Sequence, residues 1–119
     1  MKLLTAYIRK KLLRNGRLHQ QCDEAGKPEP DFVPVVKLFT PDAGFTWLLT
    51  EIDPDNPNIA FGLCDLGMGC PELGSVSLSE LESLRGRLNL PVDRDLYFTA
   101  TKTLSAYAEE AVAHGAITA

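Results

Sequence analysis

The chain has 119 residues, of which 45% are hydrophobic and 24% charged, a composition typical of one globular domain. No apolar run approaches the roughly 18 residues that a membrane span requires, and basic residues interrupt the apolar N-terminus where a signal peptide would need its apolar core. The three cysteines are an odd number for a disulfide framework. We therefore expect a single cytoplasmic domain over residues 1–119 with reduced thiols.

The net charge of −4 is unevenly distributed along the chain. Residues 1–17 carry six basic and no acidic side chains, whereas the remainder carries six basic and sixteen acidic ones. The basic segment can dock on the acidic remainder of the chain or on an acidic partner, or it can contact the phosphates of a nucleic acid. A nucleic-acid site would use five basic residues, namely Arg9, Lys10, Lys11, Arg14 and Arg17.

In chain order, the first predicted element is a helix from Thr5 to Arg14, ended by Asn15-Gly16 as a left-handed cap. Its apolar stripe would consist of Leu4, Tyr7, Ile8 and Leu12. Residues 17–31 contain Gly26 and two prolines without a hydrophobic period, which predicts a linker or a long surface loop.

Four strand-like runs follow at residues 32–39, 45–53, 59–66 and 72–77, separated by turn residues. The first three are predicted to pair as an antiparallel meander, and Gly74 in the fourth is predicted to mark a bulge. The glycine-rich stretch between the last two runs lacks the spacing of a dinucleotide or phosphate loop. We interpret it as a corner between elements.

Two overlapping capping boxes, at Ser77 and Ser79, predict the start of a second helix that Gly86 ends. A short strand is predicted at residues 96–99, and a closing helix at 103–115 with Leu104, Tyr107, Ala111 and His114 on its inner face. These elements predict an α+β fold, with an antiparallel sheet of four to five strands and N-terminal, middle and C-terminal helices.

No spacing of cysteine and histidine typical of a metal site is present, and no metal, cofactor or catalytic residue is assigned. His19 is predicted to lie in the linker, far from any partner. Glu51 and Asp53 would lie about 7 Å apart on one face of a strand, where two carboxylates can bind a cation or transfer protons. A small metal-dependent hydrolase that uses these two residues with Glu72 is therefore kept as an alternative.

The predicted binding surface is a face of the sheet. Lys37 and Glu51 are interpreted as cross-strand neighbours, with Trp47 on the Glu51 side, and Arg94-Asp95 precede the next predicted strand. A lone tryptophan beside charged groups can form a binding platform, so we expect these five residues to contact a protein partner. The alternative is a core tryptophan with a charged rim.

Motifs along nearly the whole chain are similar to those of a known family. They are Lys37-Leu38-Phe39 with Pro41, Thr46-Trp47 with Glu51, Phe61-Gly62, Glu72-Leu73-Gly74, Ser77-Leu78-x-Glu80-Leu81 and Arg94-Asp95-Leu96. With them the sequence resembles a family of small uncharacterised bacterial domains, a domain of unknown function. Its members occur mainly on plasmids and integrative conjugative elements, often near antirestriction and replication or transfer genes. Because the family has no assigned activity, the resemblance supplies no catalytic residue.

The resemblance implies a compact accessory protein of a mobile genetic element. Together with the residues, it leads us to expect a non-enzymatic interaction protein that binds another protein and no membrane. One alternative is a nucleic-acid-associated accessory protein that uses the basic N-terminal helix. Another is an antirestriction-type or anti-CRISPR-type inhibitor, in which the acidic remainder of the chain acts as a partial DNA mimic.

Overall fold

A computed structural model describes residues 3–119 of the chain. The described residues form three helices and five strands, which confirms the predicted α+β class with helices at both ends and in the middle. In chain order the elements are α1 (Ala6–Glu24), β1 (Val36–Phe39), β2 (Thr46–Ile52), β3 (Ile59–Asp65), β4 (Glu72–Ser77), α2 (Leu78–Ser83), β5 (Asp93–Arg94) and α3 (Leu104–His114). Within residues 3–119, none of the helices combines the length and the apolarity needed to cross a bilayer.

The strands form one antiparallel sheet in the order β4-β3-β2-β1-β5. The predicted meander of β1, β2 and β3 is confirmed, and β4 extends it. The strand predicted at residues 96–99 is wrong, because the chain pairs with β1 earlier, through the two residues of β5. Asp95 ends this pairing, since its side chain accepts a hydrogen bond from the amide of Tyr97 and turns the chain away.

Both faces of the sheet are covered. On one face, Trp47, Leu49 and Ile52 of β2 pack in a cluster with Leu12 of α1 and Leu81 of α2. On the other face, Leu48 and Leu63 pack against α3. The predicted inner face of α3 is confirmed for Leu104, Tyr107 and Ala111, whereas His114 is exposed. β2 is buried almost throughout because it supplies side chains to both clusters.

The predicted end of the first helix is wrong, because α1 continues through Asn15-Gly16 to Glu24. A Cβ atom on Gly16 would lie 1.9 Å from the carbonyl oxygen of Ile52, so only glycine allows the helix to approach β2 this closely. Asn15 Nδ2 donates a hydrogen bond to the carbonyl of Thr50 at 2.9 Å. Both residues therefore join the helix to the sheet, and residues 17–24 of the predicted linker 17–31, including His19, are helical.

The bulge predicted at Gly74 is also wrong, because the β3–β4 register runs without a shift from Ile59 to Cys64. The irregularity lies in β2, where the pairing with β3 shifts between Leu49 and Glu51. An extra residue in one strand turns the following side chain to the opposite face. As a result Ile52 takes the core position on the α1 side, and Glu51 is directed away from the cluster that contains Trp47.

Candidate functional site

A cleft of about 360 Å³ lies where the second half of α1 passes the ends of β2 and β3. We call it the His19 cleft. Five carboxylates and one imidazole line it, from Asp23, Glu29, Glu51, Asp53, Asp55 and His19. Among the described residues, no lysine or arginine contributes to its lining.

The sequence builds the cleft from two local features. Gly16 brings α1 against β2, and His19 follows three residues later, so its ring lies on the same side of the helix. On the opposite wall the β2–β3 turn is held in place by the Asp53 side chain, which accepts a hydrogen bond from the amide of Asp55 at 2.9 Å. Gln20 of α1 donates to the Asp55 carboxylate at 2.9 Å and so connects the two walls.

His19 is the centre of the cleft. Its Nδ1 lies 2.9 Å from Oε2 and 3.1 Å from Oε1 of Glu51. Its Nε2 lies 3.2 Å from Oε1 of Glu29 and 3.7 Å from Oδ2 of Asp23. The Glu51 side chain is only 12% exposed, whereas those of Asp23 and Glu29 are 66% and 70% exposed. Glu51 is thus the fixed inner carboxylate, and the other two form a solvated rim.

Burial and charge act in opposite directions on this pair. Desolvation lowers the pKa of His19, but the hydrogen bond to Glu51 and the negative charges of Glu51, Asp23 and Glu29 outweigh it, so that this pKa is raised above its ordinary value. Desolvation raises the pKa of Glu51, and the hydrogen bond and charge of His19 offset that rise only in part. Both groups therefore hold their protons more tightly in the folded protein.

The free energy of unfolding is expected to fall as the pH rises above about 6.5, the ordinary pKa of histidine. Because the folded-state pKa of His19 is raised, its stabilising contribution is fully present below that pH and is lost as the pH passes the folded-state pKa. The raised pKa of Glu51 gives the same sign in a more acidic window. Urea unfolding at several pH values between about 6 and 9 measures this slope.

Two histidine variants make this prediction specific. His19→Gln keeps a polar side chain without a titrating group, so the part of the slope due to His19 should disappear. His114→Gln removes the other histidine, which lies exposed at the end of α3, and should retain that slope. Identical pH profiles for the original protein and His19→Gln would contradict the assignment.

The His19–Glu51 pair has the geometry of a histidine oriented by a carboxylate, as in proton-transfer sites. Within the described chain, no serine, threonine or cysteine forms a hydrogen bond with His19. Ser75 lines the same cleft, but β3 lies between it and Glu51, since Phe61 pairs with both residues. The cleft therefore presents charge to a ligand without a nucleophile held against the histidine.

The residues of the hydrolase alternative are only partly brought together. Glu51 and Asp53 share the cleft, as expected. Glu72 does not join them, because it pairs with Cys64 of β3, whereas Glu51 pairs with Phe61, three residues earlier on the same strand. In residues 3–119, no group of three or more His, Cys, Asp or Glu side chains is placed to hold a metal ion. The structure thus does not assemble the three-carboxylate set that this alternative needs.

The prediction of an exposed tryptophan platform is wrong. Trp47 is 2% exposed and packs edge-on against Phe45, with the ring centroids 6.2 Å apart. Lys37 pairs with Leu48 rather than with Glu51. The bulge in β2 explains why Trp47 and Glu51 do not share a face, because simple alternation along the strand would have placed them on the same one. The pairing of Lys37 follows instead from the β1–β2 register.

Lys37, Arg94 and Asp95 lie together at the other end of the strand order, on β1 and around β5. Lys37 Nζ lies 3.5 Å from a carboxylate oxygen of Asp95 and donates to the carbonyl of Ala119 at 2.6 Å. The Arg94 guanidinium donates to the carbonyl of Leu3 at 2.6 Å. These charges hold the first and last described segments against the sheet.

Four predicted nucleic-acid contacts form an exposed basic face on α1, which we define as Lys10, Lys11, Arg14 and Arg17. Tyr7 belongs to the same side and is 64% exposed, so its predicted place in the apolar stripe is wrong. Lys11 Nζ lies 5.3 Å from the centroid of its ring. Arg9 is set apart and partly buried.

The basic face does not dock on the acidic remainder of the chain, which was one of the two docking alternatives; docking on an acidic partner stays a prediction. Among residues 3–119, none of its four cations forms an ion pair. Its charge is therefore presented to solvent on the exposed side of α1.

Sequence reasoning missed His19, Asp23 and Glu29. The usable signal was the absence of proline between Gly16 and Glu24, which permits the helix to continue, and the spacing of four residues between His19 and Asp23, which places them on one helical face. The pair Asn15-Gly16 instead predicts that the helix ends before it, because such a pair is common at helix ends.

A three-helix, five-strand α+β architecture is compatible with many functions, so the fold by itself names none. The family model described as "Protein of unknown function (DUF2958)" matches residues 3–118. The chain belongs to this family, which confirms the predicted membership of a family of unknown function. Neither curated proteins nor solved structures give a significant match to the chain.

Proposed function

We propose that this protein is a non-enzymatic interaction module that holds a cationic segment of a protein partner in the His19 cleft. The observation that carries the proposal is the charge of this cleft, where five carboxylates surround one histidine and no described lysine or arginine lines the walls. His19 already neutralises part of the inner charge through Glu51. The exposed carboxylates of Asp23 and Glu29 are therefore the groups that a guest cation would meet.

The walls favour the side chain of arginine or lysine over a small inorganic cation. Pro54, Ile59 and Phe61 line the cleft beside the carboxylates and would contact the aliphatic stem of a long basic side chain. A guanidinium group donates to carboxylate oxygens in a planar, two-pronged geometry. An extended basic segment satisfies both the apolar and the acidic parts of the lining.

The association with a mobile genetic element is part of the proposal and is supported by the resemblance to domains found on plasmids and conjugative elements. Proteins that bind nucleic acids carry surfaces rich in lysine and arginine. Such a protein is the partner class that we expect. Inhibition of a restriction or CRISPR component would be one consequence of occupying such a surface.

The binding test uses a fluorescein-labelled Gly-Arg-Gly-Arg-Gly peptide at low ionic strength, followed by fluorescence anisotropy. We expect Asp23→Asn combined with Glu29→Gln to weaken binding roughly fivefold to tenfold, because each exposed charge pair contributes up to about 1 kcal/mol. Both side chains are solvated, so the variant should fold normally.

The matched control is Glu80→Gln combined with Glu82→Gln, which removes the same charge from exposed positions outside the cleft. It should leave the affinity for the peptide unchanged. Equal loss of peptide affinity in the two double variants would mean that binding depends only on the net charge of the protein. This result would refute the His19 cleft as the site.

A second candidate function, association with nucleic acid, is favoured by the basic face of α1. Its four cations carry no ion pair in the described residues, and exposed Tyr7 beside them can stack on a base. A short DNA duplex added to the same assay decides between the two functions. Duplex binding that falls steeply with salt and is lost in Lys10→Gln with Arg14→Gln would favour this candidate.

A further inference from the structure

The strand β4 is an open edge of the sheet. Its backbone pairs with β3 on one side, and among the described residues it forms no backbone hydrogen bond on the other side. Proteins usually block such an edge with lysine, proline or a bulge. In β4 the register is unbroken, Glu72 is the single charged residue, and proline is absent from Glu72–Ser77. The edge is thus able to accept a further strand.

An apolar groove runs beside this edge, between β4 and α3, and we call it the β4 groove. It has a volume of about 630 Å³, and its floor includes Leu63. Leu73 and Val112 flank it and are 49% and 66% exposed, which is high for such side chains. Because Leu73 pairs with Leu63, it lies on the face that α3 covers only in part.

We propose that the β4 edge and the β4 groove form a docking site for an extended segment of a partner protein, which adds a strand to β4. Alternate side chains of an added strand point to the same face. On the α3 side they would enter the groove next to Leu73 and Val112. Main-chain hydrogen bonds to β4 would provide affinity, and the groove would select apolar side chains at alternate positions.

The charge of the groove identifies the occupant. Its charged lining residues are Glu72 and Glu109, and no described lysine or arginine lines it. A segment that presents both apolar and basic side chains at the alternate positions facing α3 matches both features. A second copy of this chain would bring the same two carboxylates and no cation from its own groove. The inference uses different residues from the His19 cleft and does not depend on it.

The test uses a labelled valine–lysine peptide about eight residues long, to match a strand. Serine occupies every second position, and valine and lysine alternate at the positions between, so that both reach the groove side. We expect saturable binding in fluorescence anisotropy, and roughly fivefold weaker binding to Val112→Ser, which removes exposed apolar surface without disturbing the core. Glu109→Lys should weaken binding of this peptide and strengthen that of a valine–glutamate peptide. N-methylation of two adjacent central residues should abolish binding, because it removes strand hydrogen bonds on either edge of the peptide.

Control variants separate binding at the β4 groove from binding at the His19 cleft. The valine–lysine peptide is measured in the variant Asp23→Asn with Glu29→Gln, which weakens the His19 cleft, so that the remaining affinity reports the β4 groove. Val112→Ser should leave Gly-Arg-Gly-Arg-Gly binding unchanged, so that the two sites can fail separately. Binding that survives N-methylation, or that is as tight in Val112→Ser and Glu109→Lys as in the original protein, would overturn the proposal. A dimer in sedimentation that Val112→Ser converts to a monomer would assign the edge to a second copy and would also overturn it.

Discussion

Gly16→Ala is expected to lower the free energy of unfolding by about 2 kcal/mol, although the same change in an exposed helix stabilises by about 0.5–1 kcal/mol. The added Cβ would lie 1.9 Å from the carbonyl oxygen of Ile52 and 3.1 Å from Cδ of Pro54. The nearest atom belongs to the backbone of a central strand, so it cannot rotate away as a side chain could. Relief of the contact requires α1 to move away from β2, and with it His19 from Glu51.

Urea unfolding measures the loss, and Gly74→Ala is the matched control. Gly74 lies in β4, and no atom lies within 4 Å of the position that an added methyl group would take, so this variant should stay within about 0.5 kcal/mol of the original protein. We also expect Gly16→Ala to weaken the pH dependence that His19 confers. Unchanged or increased stability of Gly16→Ala would show that α1 does not contact β2 as described.

Trp47→Ala is expected to cost about 3–5 kcal/mol, the range for removal of a large aromatic side chain from a core. Trp47 is 2% exposed, contacts Phe45 edge-on and pairs across the sheet with Leu38. Loss of the indole would leave a cavity between α1 and the sheet that neighbouring side chains fill only in part.

Circular dichroism should follow this unfolding, because Trp47 is the single tryptophan and the variant loses its fluorescence. Tyr97→Ala is the control, since Tyr97 is 94% exposed and its removal should change stability by less than about 0.5 kcal/mol. A cost below about 1 kcal/mol for Trp47→Ala would support the exposed platform that the sequence suggested.

Elements with complete local signals could be predicted from the sequence. β4 matches its predicted residues, and α3 begins and ends between Thr103 and Gly115, where Gly115 has the left-handed conformation of a helix end. Ser77 accepts a hydrogen bond from the amide of Glu80 and so starts α2, as its capping box indicated. In these cases residues close in sequence determine the structure.

The errors have a different physical origin, namely contacts between residues distant in sequence. Gly16 resembles a helix end locally, but its role is the close approach to Ile52, which no local pattern reveals. The bulge in β2 likewise depends on the pairing with β3. It places Trp47 and Glu51 on opposite faces of the sheet, although alternation predicts that they share one. β5 is two residues long and forms only where Arg94 and Asp93 meet β1.

The candidate site could be predicted only in part, because it too depends on contacts between residues distant in sequence. Glu51 and Asp53 were expected to present carboxylates together, and both line the His19 cleft. His19 and Asp23 required the continuation of α1, and Glu29 required the path of the chain after it. Four separate segments meet at the cleft, from α1, Glu29, the β2–β3 region and Ser75 of β4, so its composition emerges only from the tertiary structure.

The most direct test of the His19 cleft is an amide NMR titration of the isotopically labelled protein with the Gly-Arg-Gly-Arg-Gly peptide. We predict saturable shifts concentrated at residues that line the cleft, including Gly16, His19, Gln20 and Asp55, with Val112 and Tyr97 unaffected. Shifts that saturate with the same affinity in Asp23→Asn with Glu29→Gln, or that are spread evenly over the acidic surface, would contradict a cation-binding cleft.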